Sequence, residues 1–401
     1  MKEGWEIKKL GEVCDFQGGS QPPKSNFIFE PRKGYVRFLQ IRDFGSDKNM
    51  TYIPEAKKNR HCNEDDILLG RYGASVGKIL INKAGAYNVA VMKTIPDEKV
   101  LYRQYLFFYL NTDDFQSRLL KTASRSAQDG FSKDDIFDFP IFLPPLPEQQ
   151  RIVAILDEAF AAIAKAKANA EQNLKNAKEL FDCVLDNILY DKKWEVKELG
   201  EVCIKVEYGS STKSTSEGKL PVLRMGNIQN SRFTWDSLMY SDNEEDNKQY
   251  LLKHNDVLFN RTNSPELVGK TAIYKSEMPA IFAGYLIRIH RKEDLLDADY
   301  LNFYLNSKMA NDYGKTVVIS SVNQANINGT KLKTYPIPLP TLKEQKSIVQ
   351  KLDALSAETK KLESIYQQKL HDLEELKKSI LQKAFAGELT IDNGQLTMKK
   401  V

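Results

Sequence analysis

The feature that most limits how this chain can fold is that it spells one element twice. "LPPLPEQQRIVAILD" (143–157) and "LPTLKEQKSIVQKLD" (339–353) lie 196 positions apart and agree at nine of fifteen. A repeat at that spacing is far longer than a solenoid unit, so it points to duplicated domains and not to a stacked array. The agreement extends beyond this element. "WEIKKLGEVC" (5–14) returns as "WEVKELGEVC" (194–203), and "VRFLQIRDF" (36–44) answers "LPVLRMGNI" (220–228). "DDILLGRYGASVGK" (65–78) answers "NDVLFNRTNSPELVGK" (255–270), with two extra residues in the second copy. "YLFFYLN" (105–111) answers "YLNFYLN" (300–306), and Gln128 falls on Gln324. The order predicts domain, helix, domain, helix, with bounds at 1–146, 147–190, 191–342 and 343–401.

Each globular copy reads as mixed and mostly β. Short apolar runs such as "VRFLQI", "DILLGRY" and "KILINKA" are punctuated by Gly, Asn and Asp, as strands of a curled sheet are. Residues 102–120 carry apolar side chains at helical spacing and are expected to pack across that sheet. The segments after each proline-rich element differ in kind. Ile348, Leu352, Leu355, Thr359, Leu362, Tyr366, Lys369, Leu373, Leu376 and Ile380 follow a 4-3 alternation, the pattern of a coiled-coil seam. Ile152, Leu156, Ala159, Ile163, Ala166, Ala170, Asn173, Ala177, Leu180 and Val184 hold the same phase with smaller side chains. Thr341 with Glu344 suits a capping box, and Gly387 suits a helix stop. Pro144, Pro145, Pro147, Pro338 and Pro340 exclude helix upstream. Two such helices of about 40 residues would each reach roughly 60 Å. Packed antiparallel, they form a ruler with a similar head at either end. The expected fold class is therefore α+β: two mixed, mostly β domains separated by two long helices in an antiparallel coiled coil.

Composition removes several function classes. At 401 residues the chain is long enough for two domains with substantial cores. No apolar run approaches the roughly 18 residues that span a bilayer, and "MKEGWEIKKL" lacks the apolar stretch of a secretory signal. Cys14, Cys62, Cys183 and Cys203 are scattered without a CxxC pair, which argues for reduced thiols in a cytoplasm. His61, His254, His290 and His371 have no ligand-like spacing, so no metal site is expected. "VGKT" (268–271) resembles the end of a phosphate-binding loop, but Ser264 stands where that loop needs Gly. The better reading is a strand after a tight glycine turn. No adenine-methylation motif of the "NPPY" type appears, and no acidic cluster repeats in both copies with a nuclease-like pattern. The expectation is a chain without catalytic residues. Net charge is only +4, so any nucleic acid must be met by locally placed cations.

The order "LGEVC", "GGSQP", "FLQIRDF", "ILLGRYGASVGK", "YLFFYLN", "SAQDGFSKDDIFDFPIFLPPLPEQQRIV", followed by the same order again, resembles the specificity subunits of type I restriction-modification enzymes. "LKKSILQKAFAGEL" (376–389) is similar to that family's last helix. The resemblance covers nearly the whole chain. It implies two target-recognition domains, each reading one half of a bipartite DNA sequence, with the helices setting the unread spacer. It also implies docking of two modification subunits that methylate adenine with S-adenosylmethionine. Restriction subunits using ATP and Mg would join in some complexes, while this chain would hold no cofactor itself. A coiled-coil assembly protein whose two heads bind other proteins is the competing reading from a different class.

Reading a base edge needs Arg for guanine and Asn or Gln for adenine, whereas phosphate anchoring uses Lys, Arg, Ser and Thr. Four loops of the first copy carry that chemistry: Ser20, Gln21 and Lys24; Gln40 and Arg42; Arg71, Tyr72, Ser75 and Lys78; Arg125, Ser126 and Gln128. The second copy offers Ser211, Thr212 and Lys213; Arg224 and Asn227; Arg261, Asn263 and Lys270; Ser321, Asn323 and Gln324. Arg71 and Arg261 occupy equivalent positions, which suits a shared phosphate contact or, equally, an internal ion pair with a nearby Asp. Gln40 against Arg224, and Tyr72 against Thr262, differ between copies and are the better candidates for sequence discrimination.

Overall fold

A computed structural model describes residues 4–125, 130–191, 193–321, 324–392 and 395–398. The chain divides into two compact bodies, residues 1–170 with 368–401, and residues 171–367. Each is built around one head.

In the first body the main sheet has strand order Cys14–Gly18, Val91–Pro96, Leu68–Gly70, Ile79–Leu80. A second sheet joins Tyr52–Pro54, Tyr35–Leu39, Gly85–Tyr87 and His61–Cys62, with Tyr35–Leu39 parallel to Gly85–Tyr87. The second body repeats this plan. Its main sheet runs Cys203–Tyr208, Leu286–Arg291, Val257–Asn260, Thr271–Ile273, and its second sheet Met239–Ser241, Leu220–Leu223, Ile281–Phe282. A short antiparallel pair closes each head, Glu6–Lys9 on Pro140–Leu143 and Val196–Glu198 on Pro336–Pro338. The second head adds a hairpin, Ile228–Gln229 with Arg232–Phe233, and a small sheet of Thr262–Asn263, Gln324–Asn326 and Ile319–Ser321.

The single helix expected over 102–120 is two helices, Arg103–Leu110 and Asp113–Ala123. Thr112 breaks it, because its hydroxyl accepts the Phe115 N–H and starts a new N-terminus. The second head repeats the break at Ser307, between Ala298–Leu305 and Lys308–Val317. The buried tyrosines of the first helix in each head anchor the closing strand pair. Tyr105 and Tyr109 donate to the carbonyls of Phe142 and Pro140, and Tyr300 and Tyr304 to those of Pro338 and Pro336.

The long helices are Leu146–Leu189 and Leu342–Phe385. Thr341 and Glu344 form the expected capping box, with the Thr341 N–H donating to the carboxylate at 2.9 Å, and Gly387 ends the second helix at φ 75°. Within the first body the two helices run antiparallel: Lys377 sits over the Phe160 ring, and further along Lys167 meets Glu374. Within the second body Leu185 and Leu189 share a core with Leu352 and Ile348. The seam is discontinuous. Ile152, Leu156, Ala170, Ala177, Ile348, Leu352, Thr359 and Ile380 are buried, whereas Leu180, Leu362 and Leu376 are exposed.

The repeated "EQ" has a specific structural use. Gln149 and Gln345 are both fully buried. Gln149 accepts the Tyr102 N–H and donates to the carbonyls of Val100 and Pro144, each at 2.8 Å. Gln345 makes the same three bonds to Asp297, Leu295 and Pro340, also at 2.8 Å. One amide thus fastens the loop before the head's first helix to the start of the long helix. That joint, more than the proline entrance angle, is why the element is written twice.

Candidate nucleic-acid interface

The candidate loops are gathered around one short segment in each head. In the first, Ser20 bridges Asn88, the Asn88 N–H bonds the Leu39 carbonyl just before Gln40, and the Arg71 N–H bonds Ala90. Tyr72 then bridges Gly130. The second head uses the same connections. Ser210 bridges Ala283, Ala283 bonds the Leu223 carbonyl before Arg224, the Arg261 N–H bonds Tyr285, and Thr262 pairs with Asn326. Three loops scattered along the sequence therefore converge on residues 87–90 and 283–285, and a further segment pairs with the third of them. Sequence reasoning missed this hub. Its signal was an exposed apolar residue after a strand, Val89 and Tyr285.

Arg71 points its Nε at the Phe131 carbonyl (2.9 Å) and its guanidinium lies over the Tyr72 ring at 5.0 Å. Arg261 lies over the Tyr208 ring at the same distance, and its Nε has no hydrogen-bond partner. Neither arginine enters an ion pair among the described residues. The same holds for Lys24, Lys78, Arg125, Lys213, Arg224 and Lys270. In a chain of net charge +4, these cations outside ion pairs are concentrated on the loops around the two hubs. The Arg71 charge also helps hold the Asp135 carboxyl below its ordinary range, after the hydrogen bonds from Ser132.

The remaining candidates separate into exposed and committed groups. Gln21, Lys24, Lys78, Arg125, Ser211, Thr212 and Lys213 are exposed on the loops. Gln40 is half-buried with its amide near the Thr51 hydroxyl, which also accepts from exposed Arg42. Ser75 donates to the Tyr72 carbonyl at 2.6 Å and shapes the turn. Ser20 is half-buried, and its hydroxyl has no partner. Arg224, Asn263 and Lys270 line a groove of about 580 Å³ with Met225, Leu267 and Tyr285. Asn227 departs from expectation. It is buried, its Oδ1 accepts the Arg224 N–H, and its Nδ2 donates to the carbonyls of Thr234 and Asp236. It caps the turn as Asp43 does in the first head, where the carboxylate accepts the Gln40 N–H and burial raises its pKa. Both Nδ2 donors and the Oδ1 acceptor of Asn227 thus bond the loop itself. Gln324 is exposed beside Ala325 in the small sheet, and Ser321 ends the neighbouring strand. Ser126, Gln128 and Asn323 lie outside the described residues.

The model of the type I restriction modification DNA specificity domain matches twice, over residues 2–175 and 191–371. The chain belongs to that family. The specificity chain is 24% identical over 414 residues to the type I restriction enzyme MjaVIII specificity subunit of Methanocaldococcus jannaschii, covering 98% of this chain and 95% of that one. It is also 24% identical to the EcoKI specificity subunit of Escherichia coli K12, over 97% and 90% of the two chains. Among solved structures, a chain described in work on assembly and conformational transition of the type I R-M system has a TM-score of 0.75 at 20% identity. The match covers 96% of this chain and 98% of that chain. The HsdS subunit of Thermoanaerobacter tengcongensis has a TM-score of 0.62 at 21% identity, with the same coverage. These likenesses establish the shared fold, and the family establishes DNA sequence recognition as the specificity chain's role. Among the described residues, no helix is long and apolar enough to cross a membrane, and no cluster of His, Cys, Asp and Glu could hold a metal ion.

Proposed function

We propose that the chain reads an asymmetric bipartite DNA target through two unlike heads and carries no catalytic residues of its own. The observation that supports this most is the pairing of conserved geometry with divergent loops. Both heads gather the same three loops around the same hub, yet Gln40 is replaced by Arg224 and Tyr72 by Thr262. One loop architecture with different side chains suits two different half-sites. Arg71 and Arg261, equivalent and without ion pairs, suit phosphate anchoring common to both. The long helices would fix the spacer and dock two modification subunits that methylate adenine with S-adenosylmethionine. Restriction subunits using ATP and Mg would complete a cleaving complex, and the whole would act on DNA in the cytoplasm.

Mapping methylated adenines in the host genome, with and without this chain, tests the reading. The expected result is one motif with two dissimilar half-sites at fixed separation that disappears on deletion. A palindromic motif, or methylation that persists unchanged, would overturn it. In the assembled complex, Arg71→Ala and Arg261→Ala should weaken specific and random duplexes alike and lower the salt slope by about 1 each.

A further inference from the structure

We propose that the second head reads a thymine in its half of the target, seating the base's 5-methyl group on an apolar patch made by Met225, Leu267 and Tyr285. The contact rests on the DNA-reading function proposed above and names one base within it. Single apolar side chains are ordinary on a protein surface, but several facing one concavity mark a place where something binds. Met225, Leu267 and Tyr285 are 37%, 38% and 50% exposed, and all three line the groove of about 580 Å³ beside the 283–285 hub. Keeping them in water adds nothing to folding, so their use lies in what covers them.

The first head lacks this patch, and the difference is written into the chain. Tyr285 and Ala90 hold the same place, since their carbonyls accept the Arg261 and Arg71 N–H groups. Aligned on the shared Val-Gly-Lys, Leu267 stands where the first head has Ser75. There the turn closes onto Gly70, where a Cβ would meet the Ser75 carbonyl oxygen at 2.1 Å. The second head has Asn260 at that position, fully buried, and its Nδ2 donates to the Leu267 carbonyl at 3.4 Å. Two extra residues widen the turn, a buried amide holds it, and Leu267 is left facing solvent. Met225 opens the short turn that Asn227 caps.

The polar groups of the same groove select the base. Asn263 accepts the Ser264 N–H on its Oδ1 at 2.9 Å, which leaves its Nδ2 as a donor without a partner among the described residues. Lys270 lines the groove without an ion pair among the described residues and brings positive charge toward the DNA backbone. In the major groove thymine alone shows a methyl group, with the O4 acceptor next to it. The apolar patch takes the first and the Asn263 amide the second. Asp236, exposed on the same lining, supplies an acceptor for the amine that the paired adenine presents beside O4. Guanine and cytosine carry no methyl, so either would leave the patch in contact with water.

The test uses the full chain assembled with its modification subunit and the mapped target duplex. Each thymine of the target is replaced in turn by uracil, which removes the methyl group alone, and binding is measured by competition. At one position in one half-site the replacement should weaken binding about threefold to fivefold. Tyr285→Ala, already accommodated in the first head as Ala90, and Leu267→Ala should weaken the thymine duplex and erase its advantage over the uracil duplex at that position. Asn263→Ala should weaken both duplexes alike, because O4 is present in each. If no uracil replacement weakens binding, or if the penalty is undiminished in both Tyr285→Ala and Leu267→Ala, the thymine contact is overturned. Preference for the mapped target over random duplex in that same experiment keeps the DNA-reading function standing, and loss of that preference overturns both.

Discussion

At the middle of each head's main sheet the same three positions solve a charge problem differently. In the first head Gln17 faces Lys93 across the strands, and Lys93 reaches Asp66 at 2.5 Å. In the second, Glu207 faces Arg288 in the equivalent register, and Arg288 is 5% exposed. Arg288 gives Nε (3.0 Å) and Nη2 (2.6 Å) to one Glu207 oxygen and Nη1 to Asp256 at 3.0 Å, while His290 meets the same Glu207 oxygen at 2.9 Å. Replacing an amide with a carboxylate at one position thus goes with a stronger cation opposite and another donor beside it. The first head spends its interior on packed rings, with Phe115 edge-to-face on Phe139 and Tyr109. The second leaves that space open and carries a buried ionic network instead. Equal backbones therefore do not mean equal sources of stability.

Four measurements break or sharpen this contrast. Phe115→Ala should cost about 3–5 kcal/mol in the first head by opening the space that the second head already has; a loss under 1 kcal/mol in a thermal melt would mean the ring is not structural. Gln149→Ala and Gln345→Ala should each cost about 3 kcal/mol, leaving one N–H and two carbonyls without partners. Matched losses would confirm that the two joints are equivalent, and a difference above about 1 kcal/mol would refute it.

Acid should then separate the heads. Burial pushes the Glu207 carboxyl up, but hydrogen bonds from His290 and Arg288 and the guanidinium charge outweigh it, leaving its pKa at about 2 against 4.5 for the free group. The folded value is depressed, so this group's stabilisation is complete above pH 4.5 and is lost as pH falls through 2. Its size is about 3 kcal/mol at neutral pH. Glu207→Gln should flatten the acid dependence of the melt between those values, and an unchanged slope would exclude the network as its source. The smallest effect belongs to Lys167→Ala. Its partner Glu374 is 48% exposed, so the change should cost no more than about 0.5 kcal/mol and should shrink with salt.

Much of the architecture was legible because it rests on local rules. The Thr341–Glu344 cap, the Gly387 stop and the long periodic helices are set by neighbours within a turn or two. The break at Thr112 escaped because its apolar spacing continues across it, and only the hydroxyl's preference for an N-terminus marks it. The loops were found by composition, but their convergence was not, since Ser20 meets Asn88 only after the parallel pairing of Tyr35–Leu39 with Gly85–Tyr87. Asn227 shows the same limit at one residue: its letter suits adenine, yet its place three residues after Arg224 makes it a turn cap. The second head's looser packing beside Tyr335 was legible in principle, as Phe115 aligns with Ala310 and Leu119 with Gly314.

The first head's hydrophobic core includes Ile380, Leu381, Ala384, Phe385 and Leu389, with the Phe385 ring 4.7 Å from that of Tyr105. A ribosome makes Tyr105 well before Phe385, so the head that is begun first is completed only after the second has been made. Every residue of the second body is already polymerised before the first can bury its final ring. Until Phe385 has been synthesised, the head that contains Tyr105 has an open seat for that ring.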